Sequence, residues 1–286
     1  MLQPLPVFVT FHSGASAYLP GMIRALALCL ALTPAAGLAQ AQSDVVRGEF
    51  RSGWQTATGT HMAALHLQLA PRWKTYWRAP GDAGIPPQFD WSGSENLGSV
   101  RFHWPAPDVF RTNGMQTVGY HDELVLPIEI TPKDPRKPVR LRASIDLGVC
   151  KDICIPATLL LGSALASPGQ SDSTINAALR ARPATAAEAG LTRITCKIEP
   201  IRDGMRVTAR MDLPVQGSQE AVVFEPGIAN VWVSESQVSR DGRSLTATAE
   251  MVPPSGQPFA LNRSAMVVTV IGGQGRAVEI RGCPAD

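Results

Sequence analysis

Gly148-Val149-Cys150-Lys151-Asp152-Ile153-Cys154-Ile155-Pro156 is the stretch whose residue types and spacing can do chemistry. Two cysteines with three residues between them can cycle between dithiol and disulfide, and the thiolate form can attack a disulfide on another protein. The run follows an alternating apolar segment and precedes the apolar stretch 158–161, so it reads as strand, short loop, strand. Residues facing each other in such a hairpin have Cα atoms about 4.5–5.5 Å apart, within reach of a disulfide. A helix would also bring positions four apart together, but Pro156 and the flanking alternation argue against one. A bond closing so small a loop removes little chain entropy. A redox role in an exposed loop therefore stands beside the plainer reading of a hairpin staple. Lys151 favours a thiolate and Asp152 opposes it, so the sequence gives no direction for the thiol pKa. The pair, with His121 as a conceivable third ligand, also resembles copper-delivery sites in which two thiolates hold a soft metal. Those sites usually sit on a thioredoxin-like βαβ fold, which the pattern here does not supply. The expectation is no cofactor, with copper as the alternative.

The elements that must position the pair are strands. Val139, Leu141, Ala143, Ile145 and Leu147 alternate with polar residues, as do Leu124, Leu126, Ile128 and Ile130, and Leu65, Leu67 and Leu69. Pro127 moves its strand towards a sheet edge or a bulge. Pro/Gly loops such as Ala79-Pro80-Gly81-Asp82-Ala83-Gly84 separate the runs, the pattern of a β-sandwich. Ser167-Pro168-Gly169-Gln170 breaks the pattern. A helix over 171–182 follows, carrying Ile175, Ala178 and Leu179 at helical spacing, and 184–190 reads as linker. Seven strands are expected next, at 191–198, 205–211, 221–224, 231–238, 245–251, 265–271 and 277–280. The fold class is therefore all-β, two immunoglobulin-like β-sandwich domains joined by a linker with a short helix. The first spans 42–166, the linker 167–190 and the second 191–286. The group Trp73, Tyr76, Trp77, Phe89 and Trp91 reads as mostly core.

The first 41 residues read as a leader and what lies upstream of it. Met22, a possible initiator, is followed by Arg24, the apolar run 25–32 and the small-residue ending Ala39-Gln40-Ala41, which predicts an exported, periplasmic chain starting at Gln42. Nothing later reaches about 18 apolar residues, so no membrane span is expected. The charge is +2, from 26 basic and 24 acidic residues interspersed, which leaves no field for a nucleic acid. Cys150, Cys154, Cys196 and Cys283 remain after the leader, an even set that predicts two disulfides in an exported chain. Hairpin proximity pairs Cys150 with Cys154, and the domain boundary pairs Cys196 with Cys283. The second pair has 86 residues between its cysteines and reads as structural, stabilising by roughly 4–5 kcal/mol on the loop-entropy model. Zinc, phosphate-loop and nucleophile-elbow motifs are not found.

Trp73-Lys74-Thr75-Tyr76-Trp77-Arg78-Ala79-Pro80-Gly81-Asp82-Ala83-Gly84 resembles the N-terminal periplasmic region of DsbD-type thiol:disulfide interchange proteins, and so does Pro86-Pro87-Gln88-Phe89-Asp90-Trp91. The likeness continues through Gly119-Tyr120, Leu124-Val125-Leu126-Pro127 and 150–156, covers 45–165, and points to the branch associated with suppression of copper sensitivity. It implies that an immunoglobulin-like domain takes electrons from a thioredoxin-like domain through a membrane segment and passes them to oxidised periplasmic partners. By position it implies Cys150 and Cys154 as the exchanging pair and Tyr120 in a loop beside them. Better-known members have more than the three residues found here between the cysteines, and an aromatic cap where this chain has Arg111-Thr112-Asn113-Gly114-Met115. Phe110 and Met115 are the candidates for that cap. The expected partners are thioredoxin-like or membrane-embedded thiol:disulfide proteins. The rivals to exchange are copper binding by the same pair and an adaptor with two inert disulfides.

Overall fold

A computed structural model describes residues 45–112 and 114–285; the expected leader lies outside them. The first half of the chain forms β1 (Val46–Gln55), β2 (His61–Leu69), β3 (Lys74–Tyr76), β4 (Gln88–Asp90), β5 (Leu97–Phe102), β6 (Asp108–Thr112), β7 (Met115–His121), β8 (Glu123–Pro132), β9 (Arg140–Cys150) and β10 (Cys154–Ala164). One sheet has the order β1-β2-β8-β5; the other runs β10-β9-β3-β7-β6, with β4 also on β9. Alternation sets which side chains meet between them: Leu124 and Leu126 from β8 pack with Ile145, Leu147 and Val149 from β9 and with Trp77 and Trp104.

Pro127 does not mark a sheet edge. β8 is an inner strand, with Pro127 opposite Ala64 of β2. Its carbonyl accepts from the His103 N–H at 2.9 Å, just past the last pair of β5 with β8, Phe102 with Ile128. The missing donor of Pro127 therefore faces the side where regular pairing has ended, and no ladder bond is lost.

The segment after the Ser167-Pro168 turn forms α1 (Ser173–Arg180), capped by Asp172, whose carboxylate accepts from the Thr174 and Ile175 N–H groups. Ile175 packs on Met62 and Ala64, which is why β2 is buried on both faces rather than alternating. The stretch read as linker contains β11 (Ala184–Thr185), and Ala186, Ala189 and Leu191 pack on the second core.

The remaining strands are β12 (Arg193–Ile201), β13 (Gly204–Asp212), β14 (Ala221–Glu225), β15 (Trp232–Val233), β16 (Gln237–Asp241), β17 (Ser244–Val252), β18 (Val267–Gly273) and β19 (Arg276–Arg281). They build sheets β11-β19-β18-β14 and β12-β13-β17-β15, with β16 on β17. The expected strand at 231–238 is two short ones, β15 and β16. The two halves are packed together rather than strung apart: Ile271, Ala277 and Val223 join the first core. Arg78 stacks on the Trp77 ring at 4.4 Å and reaches across to Glu225 and Glu279 at 2.8 Å each. No helix among the described residues is long and apolar enough to cross a membrane.

Candidate functional site

The β9–β10 hairpin puts Cys150 opposite Cys154, with Val149 opposite Ile155 and Gly148 opposite Pro156. The two sulfurs are bonded, with Cα atoms 4.1 Å apart, and Lys151 closes the turn by donating its N–H to the Ile153 carbonyl at 3.0 Å. The bond is asymmetric towards solvent. Cys150 is 1% exposed, whereas Cys154 lies on the exposed side of the edge strand.

Register decides what surrounds the pair. β3 lies between β9 and β7, and Lys74 stands opposite both Cys150 and His121. Side chains at paired positions share a face, so Lys74, His121 and Cys150 sit together on the outer side of the sheet, and Tyr76, two residues from Lys74, joins them. The intervening Thr75 pairs with Tyr120 and Val149, and those two belong to the core between the sheets. Tyr120, expected beside the cysteines, therefore points the other way: its hydroxyl donates to the Pro105 carbonyl at 2.8 Å and its ring stacks with Trp104.

Tyr76 takes that place. Its hydroxyl donates to Cys150 Sγ at 2.9 Å and lies 3.4 Å from Cys154 Sγ. Gly148 makes room for the ring, since a Cβ there would stand 3.1 Å from Tyr76 Cε2 and 2.8 Å from Ile85 Cβ. Ile85, in the loop between β3 and β4, thus packs over this corner while remaining 43% exposed. Burial pushes the Tyr76 phenol above the ordinary tyrosine value, so it keeps its proton and remains a donor to sulfur at neutral pH. By residue type Tyr76 reads with the core aromatics. The signal that could have separated it was parity within the block 73–78, where Lys74 and Tyr76 alternate with Thr75 and Trp77.

Phe110 of β6 stands by the site: its ring meets His121 edge-on at 4.3 Å, and Lys74 Nζ lies 5.0 Å above it. Lys74 Nζ also donates to Thr117 Oγ1 at 3.0 Å, and burial lowers its pKa from the ordinary lysine value. Met115, the other cap candidate, is 51% exposed at the β6–β7 turn, opposite Thr112. No group of three or more His, Cys, Asp or Glu side chains placed to hold a metal ion occurs among the described residues, and His121 meets the Phe110 ring.

Cys196 and Cys283 are bonded to each other and both are 1% exposed. The Cys196 N–H donates to the Pro284 carbonyl at 2.7 Å, and Arg263 Nη1 donates to both cysteine carbonyls, tying the C-terminal segment to β12. Of the two disulfides among the described residues, only Cys150–Cys154 has an exposed cysteine.

Residues 43–161 match the family described as thiol:disulfide interchange protein DsbD, N-terminal. Among solved structures, the N-terminal periplasmic domain of ScsB from Proteus mirabilis is similar, with a TM-score of 0.63 and 21% identity over 84% of this chain and 92% of that one. At that identity the likeness is one of fold. No curated protein matches.

Proposed function

We propose that this chain, whose residues 43–161 match the DsbD-type N-terminal family, is a periplasmic thiol:disulfide exchange protein that cycles Cys150 and Cys154 between dithiol and disulfide. The tandem sandwich supports placing it in the branch associated with suppression of copper sensitivity. The observation that carries the reading is the asymmetry of the bond: Cys154 is an exposed residue, whereas Cys150 is buried with its sulfur against a phenol proton.

An incoming thiolate attacks Cys154 Sγ, forming a mixed disulfide as the Cys150–Cys154 bond breaks and Cys150 leaves as a thiolate beneath the Tyr76 O–H. Attack by a second thiolate of the partner on its own mixed-disulfide sulfur then frees Cys154, so that the partner is oxidised and this pair reduced by two electrons. In reverse, the Cys154 thiolate attacks the partner's disulfide and Cys150 resolves the adduct. The exchange runs on the sulfurs themselves. Partners of the thioredoxin-like or membrane-embedded thiol:disulfide kind fit this chemistry.

The test is trapping in cells. Cys150→Ser leaves Cys154 to form an adduct that cannot be resolved, so a reductant-sensitive species of higher mass accumulates; Cys154→Ser accumulates none. The reading fails if neither variant traps protein and the wild-type pair opens to a glutathione couple only when the chain unfolds.

A further inference from the structure

Beside Cys150 the outer face of the first domain opens into a cup of about 370 Å³ bordered by Arg72, Lys74, Phe110, Arg111, His121 and Lys151. Four of these side chains are basic, delivered by the residues before β3, by β3, by β6 and by the hairpin turn. Among the described residues none of the four has a carboxylate within ion-pair distance. Elsewhere Arg51, Arg78, Arg240 and Arg243 each hold at least one. What the cup's cations do contact is neutral: Lys74 a threonine hydroxyl, Arg111 the amides of Gln116 and Gln219. The acids nearby are otherwise engaged or turned to solvent. Asp122 accepts the Arg72 backbone N–H at 2.8 Å, and Asp108 and Asp152 are exposed. Basic side chains gathered without direct ion pairs repel one another; the neighbouring Asp108, Asp122 and Asp152 offset part of that repulsion, and a negative surface that covers the cup relieves the rest. The overall charge is only +2, so the patch is local, and it sits beside the disulfide that has an exposed cysteine.

From this we infer that the cup selects exchange partners, recognising an acidic peptide segment that carries carboxylates next to its reacting cysteine. The inference rests on the exchange reading above. A segment whose sulfur reaches Cys154 lays its neighbouring residues across the cup, where the cations meet its carboxylates and Phe110 meets its apolar atoms.

The experiment uses the reduced protein and three symmetrical peptide disulfides, blocked at both ends, in which the cysteine is flanked by aspartates, glycines or lysines. In each reaction Cys154 attacks the probe disulfide and releases one peptide thiolate. Cys150 then displaces the second, so the protein loses two electrons and the probe gains them. At low salt the aspartate probe is expected to react about tenfold or more faster than the glycine probe, and the lysine probe slower than it. The spread should close in about 1 M salt, where the screening length falls to about 3 Å. The combined variant Arg72→Gln, Arg111→Gln and Lys151→Gln should bring the aspartate-to-lysine rate ratio towards one. Equal rates for the charged probes, or a preference that survives high salt or the triple variant, overturns the inference. A glycine probe that fails to react with the reduced protein at all overturns the exchange reading instead, so the two failures are distinguishable.

Discussion

Replacing Tyr76 with Phe removes one oxygen and leaves the ring that packs beside Gly148 and Ile85. The oxygen donates to Cys150 Sγ at 2.9 Å from a side chain only 2% exposed. A hydrogen bond to a neutral group contributes about 0.5–1.5 kcal/mol and one to a charged group about 1.5–3 kcal/mol. The difference, about 1–1.5 kcal/mol, is what the phenol adds to the thiolate over the thiol. At about 1.36 kcal/mol per pKa unit, Tyr76→Phe raises the Cys150 thiol pKa by about one unit. The assay is the ultraviolet absorbance of the thiolate against pH in the reduced protein, in a Cys154→Ser background so that a single thiol titrates while Cys196–Cys283 stays closed. Tyr120→Phe is the control, because that hydroxyl serves Pro105 on the other face of the sheet. An unchanged pKa in Tyr76→Phe, or an equal rise in Tyr120→Phe, would refute the assignment of the phenol to the sulfur.

The strand order could not be read from the chain, and that is what separated the legible part of the site from the rest. Local spacing sufficed for the hairpin, because Cys150 and Cys154 need only a turn between two alternating segments to meet. It sufficed for Cys196 and Cys283 through the domain boundary. It could not place Tyr76, because β3 reaches β9 across a sequence gap of more than sixty residues, and one step of register decides whether Tyr76 or its neighbours face the sulfurs. The same one-step parity misplaced Tyr120, which a likeness in sequence located near the pair in the chain but not by face. Pro127 sits in an inner strand for a related reason: its cost depends on which side its missing donor faces and where the neighbouring strand stops, and neither is written locally. Arg78 gave no sign of its role, since its partners Glu225 and Glu279 lie in the other domain.

Three further outcomes are expected from the same geometry. Replacing Cys196 and Cys283 together by Ala should cost about 4–5 kcal/mol by urea unfolding on the loop-entropy model, against about 2 kcal/mol for Cys150 and Cys154, whose loop is far shorter; equal losses would contradict the division into structural and exchanging bonds. Arg78→Gln leaves Glu225 and Glu279 facing each other at the junction and should destabilise by about 2–3 kcal/mol, with Glu279→Gln restoring part of the loss; additive effects of the two substitutions would rule out the clamp. The last concerns alkaline pH. Burial raises the phenol of Tyr76, and that of Tyr120 much further, above their unfolded value of about 10. Above that pH the unfolded chain releases phenol protons that the folded chain still holds, so the stability these groups contribute is full below about pH 10 and is lost as the pH rises towards their folded values. Lys74, whose amine burial lowers, works in the opposite sense as the pH rises, so the slope of the wild type alone does not isolate the tyrosines. The variants do: urea midpoints between about pH 9 and pH 11 should fall less steeply in Tyr120→Phe than in the wild type, and by a smaller margin in Tyr76→Phe. Slopes unchanged in both variants would mean that neither phenol is held from solvent as the packing requires.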